Sequence, residues 1–191
     1  TPMLVGGLHE AAVERLAAEL SPFGIEVLQA GGSGEGAADA TTPAGFVDGG
    51  AIAVTLARGD VTNDVIGTVT FVDGERLVAF GHPMVEAGET GVPTAIARVL
   101  HVFASLQRSF KIAEPVTPVG ALVEDRQAAI GVDTGVTPAL VPVVVRLSGA
   151  RAKVRQVERI FNRQPNFVQI MTEIAGVVRI FRKRNATSSH V

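Results

Sequence analysis

The stretch VIGTVTFVDGERLVAF, residues 65–80, constrains the fold of this chain more than any other. Two runs rich in Val, Thr and Phe flank Asp73-Gly74, and an Asp-Gly pair between such runs is a strong signal for a two-residue β-hairpin turn. With Asp73 and Gly74 as the loop, the antiparallel register pairs Val65 with His82. One face of this predicted hairpin is apolar and ends in a histidine; it carries Val65, Val69, Phe71, Val78, Phe80 and His82.

The remaining segments predict an α+β chain that is rich in strands. Residues 8–20 predict a helix ended by Ser21-Pro22, because their apolar side chains recur at helical spacing: Leu8, Ala12, Val13, Leu16 and Leu20. Further elements are strands at 25–29, 51–60 and 139–147, a hairpin at 119–132 that turns about Glu124 to Gln127, and an amphipathic helix at 166–181. Residues 94–110 fit either a helix or a strand.

Three regions follow from the composition along the chain. Residues 30–45, AGGSGEGAADATTPAG, are rich in Gly, Ala and Thr and lack periodicity, which is typical of a linker. We therefore predict a helix-strand segment with its linker at 1–45, a β-rich core at 46–150, and a basic C-terminal strand or helix with a tail at 151–191.

The charge is distributed unevenly. The formal net charge is −2, but residues 1–150 hold 8 Lys and Arg against 17 Asp and Glu, and residues 151–191 hold 9 against 2. The basic C-terminal segment is suited to an anionic membrane surface, or it forms a solvated face followed by a tail. The acidic main body and the lack of aromatic residues in RKRNATSS, residues 182–189, argue against nucleic acid. No transmembrane helix or signal peptide is predicted, and a chain that begins Thr1-Pro2 without Met is expected to be a segment of a longer protein.

His82 is the residue best suited to catalysis. Pro83 favours an extended conformation at His82, and Gly81 allows a bend before it, so the histidine is expected to sit rigidly at a strand end. An imidazole titrates near neutrality and can take a proton from a hydroxyl as a general base. The alternative from the residues alone is a hydrogen-bonded histidine of the core or rim.

Other chemistry has little support in the sequence. The chain has no cysteine, which removes a thiol nucleophile and thiolate metal sites. It also lacks the HxH, HExxH and phosphate-loop motifs, so we expect no metal and no cofactor. Of the remaining histidines, His9 begins the first helix, His101 lies in the ambiguous segment and His190 lies in the tail.

The segment GTVTFVDGERLVAFGHPM, preceded by AIAVTLARGDV and followed by PVGALVEDRQAAIGV, resembles the SpoIVB-type serine peptidase family. Members carry a Gly-Thr-hydrophobic-Thr strand, a turn, and an Ala-hydrophobic-Gly-His segment. The likeness covers roughly residues 50–147. It implies a trypsin-like (chymotrypsin-type), barrel-like sheet with flanking helices, in a bacterial signalling protease in which His82 is the general base.

The nucleophile that this resemblance implies is missing. The family presents its serine in a Ser-Gly-Met-Ser-Gly-Ser-Pro type segment, and nothing in this chain corresponds; Ser33 in GGSGEG is the nearest, within the predicted linker. The third triad role requires a carboxylate that accepts a hydrogen bond from the histidine. Asp125 in the second hairpin is the candidate, with Asp133 as the alternative.

Two functions follow from the resemblance. In the first, the chain is the histidine-bearing part of a serine endopeptidase that acts on proteins outside the cytoplasm or at the membrane, and the isolated chain is inactive because its serine lies elsewhere. In the second, it is a catalytically inactive, peptidase-like module that binds or supports a partner protein.

Overall fold

A computed structural model describes residues 2–29, 42–104 and 109–142, and the backbone of residues 160 and 161. Strands dominate it, and the described residues contain a single α-helix, which confirms the prediction of a β-rich α+β chain. The elements are β1 (Pro2–Gly6), α1 (Glu10–Leu20), a turn of 3-10 helix (Ser21–Phe23), β2 (Glu26–Gln29), β3 (Ala51–Ala57), β4 (Thr62–Asp73), β5 (Arg76–Ala79), β6 (Gly88–Phe103), β7 (Phe110–Arg126), β8 (Ala129–Asp133), β9 (Leu140–Val141) and β10 (Ile160–Phe161).

Six of the strands form a closed ring of antiparallel pairs. The order around the ring is β3-β4-β5-β8-β7-β6. The pairing of β6 with β3, which includes Ile96 with Ile52, closes the ring. Closure leaves few unpaired strand edges, which is how antiparallel sheets avoid edge-to-edge association. β1 and β2, which are parallel to each other, extend the sheet from β4, and β10 and β9 extend it from β3.

The main core joins one face of these strands to helix α1. Ala12, Leu16 and Leu20 recur every four residues on the helix, and all three are buried, as predicted. His9 caps the helix by accepting a hydrogen bond from the backbone N–H of Ala11 at 3.3 Å. The fully buried strand side chains of this core include Ile52, Val54, Val65, Leu122 and Ile130.

The β4–β5 hairpin forms, but its predicted register is wrong. Asp73 pairs with Arg76, so the loop is Gly74-Glu75, with Gly74 at φ +59°. A hairpin loop of two residues favours positive φ at its first position, and glycine supplies it there without steric strain. Val65 accordingly pairs with Val54 and Met3 instead of His82.

The buried face of the hairpin's outer half is not the predicted apolar face. The pairing moves by two residues along the partner strand, which keeps Phe71 and Val78 on one face, as predicted. Leu77 and Ala79 are buried, whereas Phe71 and Val78, which were predicted on the apolar face, are 57% and 41% exposed. A bulge at Thr70 places Val69 opposite Ala79, so Val69 lies on the buried face and Phe71 on the exposed one.

Other predicted elements have mixed outcomes. The ambiguous segment 94–110 forms a strand over most of its length, because β6 pairs with β7 from Gly88 to Phe103. The second hairpin forms as predicted, but its turn lies at Gln127 and Ala128 instead of about Glu124 to Gln127. Strand β1 was not predicted, β9 covers part of the predicted strand 139–147, and the predicted helix 166–181 lies outside the described residues.

The N-terminal segment and the β-rich core share one sheet. β1 pairs with β4 from Met3 to Gly6, and the buried side chains of α1 lie in the main core. The boundary near residue 45 stays a prediction, and most of the predicted linker lies outside the described residues.

Candidate functional site

The candidate site is the loop of residues 80–87, which connects β5 to β6 at one end of the ring. It begins with two consecutive residues in the left-handed region, Phe80 at φ +74° and Gly81 at φ +70°. Glycine adopts this conformation readily, but a bulky residue such as Phe does so only where its surroundings hold it. The backbone N–H of Phe80 donates to the carbonyl oxygen of Thr68 at 2.9 Å, which ties the start of the loop to β4.

Packing against β4 holds Phe80 in this strained conformation. Its half-buried ring packs against the main core and lies directly over Gly67, where an added β-carbon would overlap the ring carbons Cε1 and Cδ1. Glycine at position 67 is therefore required by the ring above it. The start of the loop that carries His82 is therefore held by a backbone hydrogen bond and by the ring of Phe80.

His82 is exposed, and its ring orientation is defined. Its Nδ1 lies 2.7 Å from the carbonyl oxygen of Pro83, and its ring centroid lies 5.6 Å from that of Phe80. A carbonyl oxygen only accepts, so this hydrogen bond requires the proton on Nδ1. In the neutral imidazole, Nε2 then carries the lone pair, which is the tautomer that a general base needs.

Asp125 lies beside the same loop, where it bonds the backbone. The side chain is 1% exposed. Its Oδ1 accepts from the N–H of Met84 at 2.7 Å, and its Oδ2 accepts from those of Val85 at 2.8 Å and Ala87 at 3.1 Å. The sequence predicted a bond from Asp125 to the ring of His82; in the structure the ring's acceptor is Pro83, and Asp125 holds the segment that follows it.

The C-terminal part of the loop is also fixed by the surrounding structure. Met84 is buried in the main core. Glu86 and Gly88 adopt positive φ angles of +57° and +72°, and Gly88 pairs with Asp125 as β6 begins. Hydrogen bonds from three backbone N–H groups of the loop compensate for the burial of the carboxylate of Asp125.

Asp133, the alternative orienting residue, lies at the opposite end of β8. Its Oδ1 accepts from the N–H of Gly135 at 3.0 Å, and its Oδ2 lies 3.6 Å from Nε of Arg76. Arg76 starts β5, whereas His82 follows the end of that strand, so Asp133 belongs to the turn end of the hairpin. Ser33 lies outside the described residues, and the position of a nucleophile stays a prediction.

A second polar contact was not predicted from the sequence. Nζ of Lys111 on β7 donates to Oγ1 of Thr68 at 2.6 Å and approaches the carbonyl oxygen of Gly67 at 3.3 Å. Partial burial of the ammonium group lowers the pKa of Lys111 below its usual value of 10.5. Only the fold brings β7 to β4, so no local pattern in the sequence could have indicated this contact.

Within the described part of the chain, no three His, Asp or Glu side chains are grouped so as to hold a metal ion. None of the helices described there is long and apolar enough to cross a membrane. Comparison of the chain with family models, with curated proteins and with solved structures found no match.

Proposed function

We propose that this chain is the histidine-bearing part of a SpoIVB-type serine endopeptidase, with His82 as the general base and the nucleophilic serine on a segment outside these 191 residues. The substrates are proteins, the chain works outside the cytoplasm or at a membrane, and the isolated chain is inactive. The proposal rests on the sequence resemblance together with the geometry of the 80–87 loop.

One observation carries the proposal: the hydrogen bond from Nδ1 of His82 to the carbonyl oxygen of Pro83 leaves Nε2 as the basic nitrogen of an exposed ring. In the proposed reaction, the serine oxygen attacks the scissile carbonyl carbon while its proton passes to Nε2. The same nitrogen later gives that proton to the leaving amine. The dipole of the Pro83 carbonyl stabilises the intermediate imidazolium less than a carboxylate would, because it carries no full charge.

The geometry of the loop and the closed ring are consistent with this role. A strained backbone such as that of Phe80 is typical of functional sites, where the surrounding structure holds the strain in place. The ring of six antiparallel strands supports the barrel-like, trypsin-like fold that the resemblance implies. Asp125 keeps a structural part in this proposal, since it fixes the loop that presents the base.

The test uses the chain with the flanking sequence of its natural protein. We expect a serine-reactive phosphonate to label the wild type, and His82→Ala to lower the labelling rate by about 10²-fold or more, the scale of general-base catalysis. His101→Ala is the matched control, because His101 is an exposed histidine on β6, and it should label as the wild type does. Equal labelling of wild type and His82→Ala would refute the general-base role.

A second function, as a peptidase-like module that binds a partner protein, is favoured by a different observation. The outer half of β6 exposes apolar side chains, with Leu100, Val102 and Phe103 at 56%, 54% and 46% exposure. Contiguous exposed apolar surface is common at protein interfaces. Absence of phosphonate labelling in the flanked wild type, with loss of partner binding in Leu100→Ser but not in His82→Ala, would favour this function over catalysis.

A further inference from the structure

The outer face of the β4–β5 hairpin carries an exposed apolar pair. Phe71 and Val78 lie directly opposite each other on the two strands, and they are 57% and 41% exposed. Side chains opposite each other in an antiparallel pair point to the same face. The neighbouring Leu77 and Ala79 are buried, so this face is turned away from the core. An exposed aromatic side chain beside an aliphatic one is typical of protein-binding surfaces.

Two glutamates continue the same row across the sheet. Val78 pairs with Gly131 of β8, and Gly131 in turn pairs with Glu124 of β7. Glu89 of β6 lies directly opposite Glu124, and both side chains are exposed. Like charges opposite each other repel, so a cation placed between them is stabilising. Nε of Arg126 lies 3.4 Å from Oε2 of Glu124, but an exposed ion pair of this kind contributes little.

Gly131 separates the apolar pair from the acidic pair. At the position where its β-carbon would lie, the contacts within 4 Å come from Glu124, whose Cβ is 3.5 Å away, so the surface is open towards Val78. Neighbouring strands are about 4.8 Å apart, which puts Val78 and Glu124 roughly 10 Å apart across this gap. The aliphatic stem of an arginine fits along such a floor while its guanidinium reaches a carboxylate.

We propose that this outer row is a docking surface for an extended segment of a partner protein, one that carries a large apolar side chain and an arginine. The apolar side chain packs on Phe71 and Val78, and the arginine lies over Gly131 and bonds the two glutamates. The two halves of the row are roughly 10–14 Å apart, a distance that an extended chain covers in about three or four residues.

Charge complementarity favours a cationic partner over an acidic one. Residues 1–150, which include the whole outer row, hold 8 Lys and Arg against 17 Asp and Glu. Such a field attracts a basic segment and repels an acidic one, and the two glutamates then fix its position on the sheet.

This surface is separate from both functions proposed above. The exposed apolar residues of β6 lie in its outer half, whereas Glu89 lies near its start. Docking on the outer row needs neither His82 nor a serine. A failed labelling experiment would therefore leave this proposal standing, and a failure to bind the peptide would leave the role of His82 standing.

The test is binding of a fluorescein-labelled peptide, Ser-Thr-Phe-Thr-Ser-Arg-Thr-Ser, to the full 191-residue chain, measured by fluorescence anisotropy. We expect Phe71→Ser to raise the Kd by about tenfold or more, because it removes the aromatic anchor. The double variant Glu89→Gln, Glu124→Gln should raise it by about fivefold, because it removes the charges that hold the arginine. With citrulline in place of the arginine, the peptide should bind the double variant and the wild type equally.

Matched controls lie on the helical part of the chain. Phe23 is 54% exposed on the 3-10 turn, and Glu14 is exposed on α1, so Phe23→Ser and Glu14→Gln should bind the peptide as the wild type does. No binding to the wild type up to about 1 mM, or equal affinity of Phe71→Ser and Phe23→Ser, would overturn the proposal. Dimerisation of the chain that Phe71→Ser abolishes, measured by sedimentation, would assign the surface to a second copy and would overturn it as well.

Discussion

At the scale of single residues, His82 and Asp125 form hydrogen bonds with backbone groups, whereas a hydrogen bond between their side chains was expected. The orienting acceptor for His82 is the carbonyl oxygen of Pro83, and the carboxylate of Asp125 bonds backbone N–H groups. Both arrangements hold the same loop, one through the ring and one through the segment after it. Asp125 thus influences the position of His82 through the chain between them.

Removing the carboxylate of Asp125 should loosen the loop. Asp125→Ala leaves three backbone N–H groups, those of Met84, Val85 and Ala87, without their acceptor. We expect a loss of about 2–4 kcal/mol in the free energy of unfolding, since each buried unpaired donor costs about 1–3 kcal/mol and water reaches some of them. Urea unfolding measures the loss, and hydrogen exchange of the three amides should accelerate.

Asp133→Ala is the control for Asp125→Ala. Asp133 ends β8, whereas Asp125 on β7 pairs with Ile130 near the start of β8. Its carboxylate bonds Gly135 and approaches Arg76, both remote in the sheet from the 80–87 loop. Exchange at residues 84–87 should be unchanged in this variant. Unchanged exchange in Asp125→Ala as well would contradict the assigned role of the carboxylate.

At the scale of elements, the local patterns predicted which segments are strands and helices better than how they pair. The stripe of α1 was visible because packing against one core requires apolar residues at helical spacing, as at Leu16 and Leu20. The hairpin register was missed because it depends on which residue takes positive φ, and both Asp73 and Gly74 suit a tight turn. The strain at Phe80 has no sequence signature, because it depends on how the ring of Phe80 packs against Gly67 on the neighbouring strand β4.

The contact between β4 and the loop predicts a strongly coupled pair of substitutions. Gly67→Ala should destabilise the fold by about 1–3 kcal/mol, because the added methyl group overlaps the ring of Phe80 and one of the two must move. Combined with Phe80→Ala, the same change should cost little beyond Phe80→Ala alone, because the ring is gone. Urea unfolding of the two single variants and the double variant gives the coupling energy, and additive losses would show that the ring does not restrict position 67.

At the scale of the whole molecule, the ring of strands brings together residues that lie far apart in the chain. Asp125 is 41 residues from Met84 in sequence, and it reaches the loop because β7 pairs with β6, which begins at Gly88 where the loop ends. The sequence resemblance associated Asp125 with His82, but the actual contact depends on strand order, which local patterns do not determine. The contact between Lys111 and Thr68 has the same origin, through β7 passing close to β4.

The stability of the whole molecule should therefore depend on pH through Lys111. Its pKa is lowered in the folded state, so between that lowered value and 10.5 the unfolded chain binds more protons than the folded one. Stability rises with pH wherever the unfolded state binds more protons, and the destabilisation that Lys111 causes at neutral pH is relieved across this window. The chain has no Tyr and no Cys, so lysines are the side chains that titrate there.

Lys111→Met isolates this effect, because it keeps the length of the side chain and removes the charge. Unfolding free energies of the wild type and the variant, measured from about pH 8 to 10.5, should converge or cross in favour of the wild type as the pH rises. Contributions from Lys153 and Lys183 are common to both proteins and cancel in the difference. Parallel curves over this range would mean that Lys111 has the same proton affinity in the folded and unfolded chain, and would contradict the predicted pH dependence.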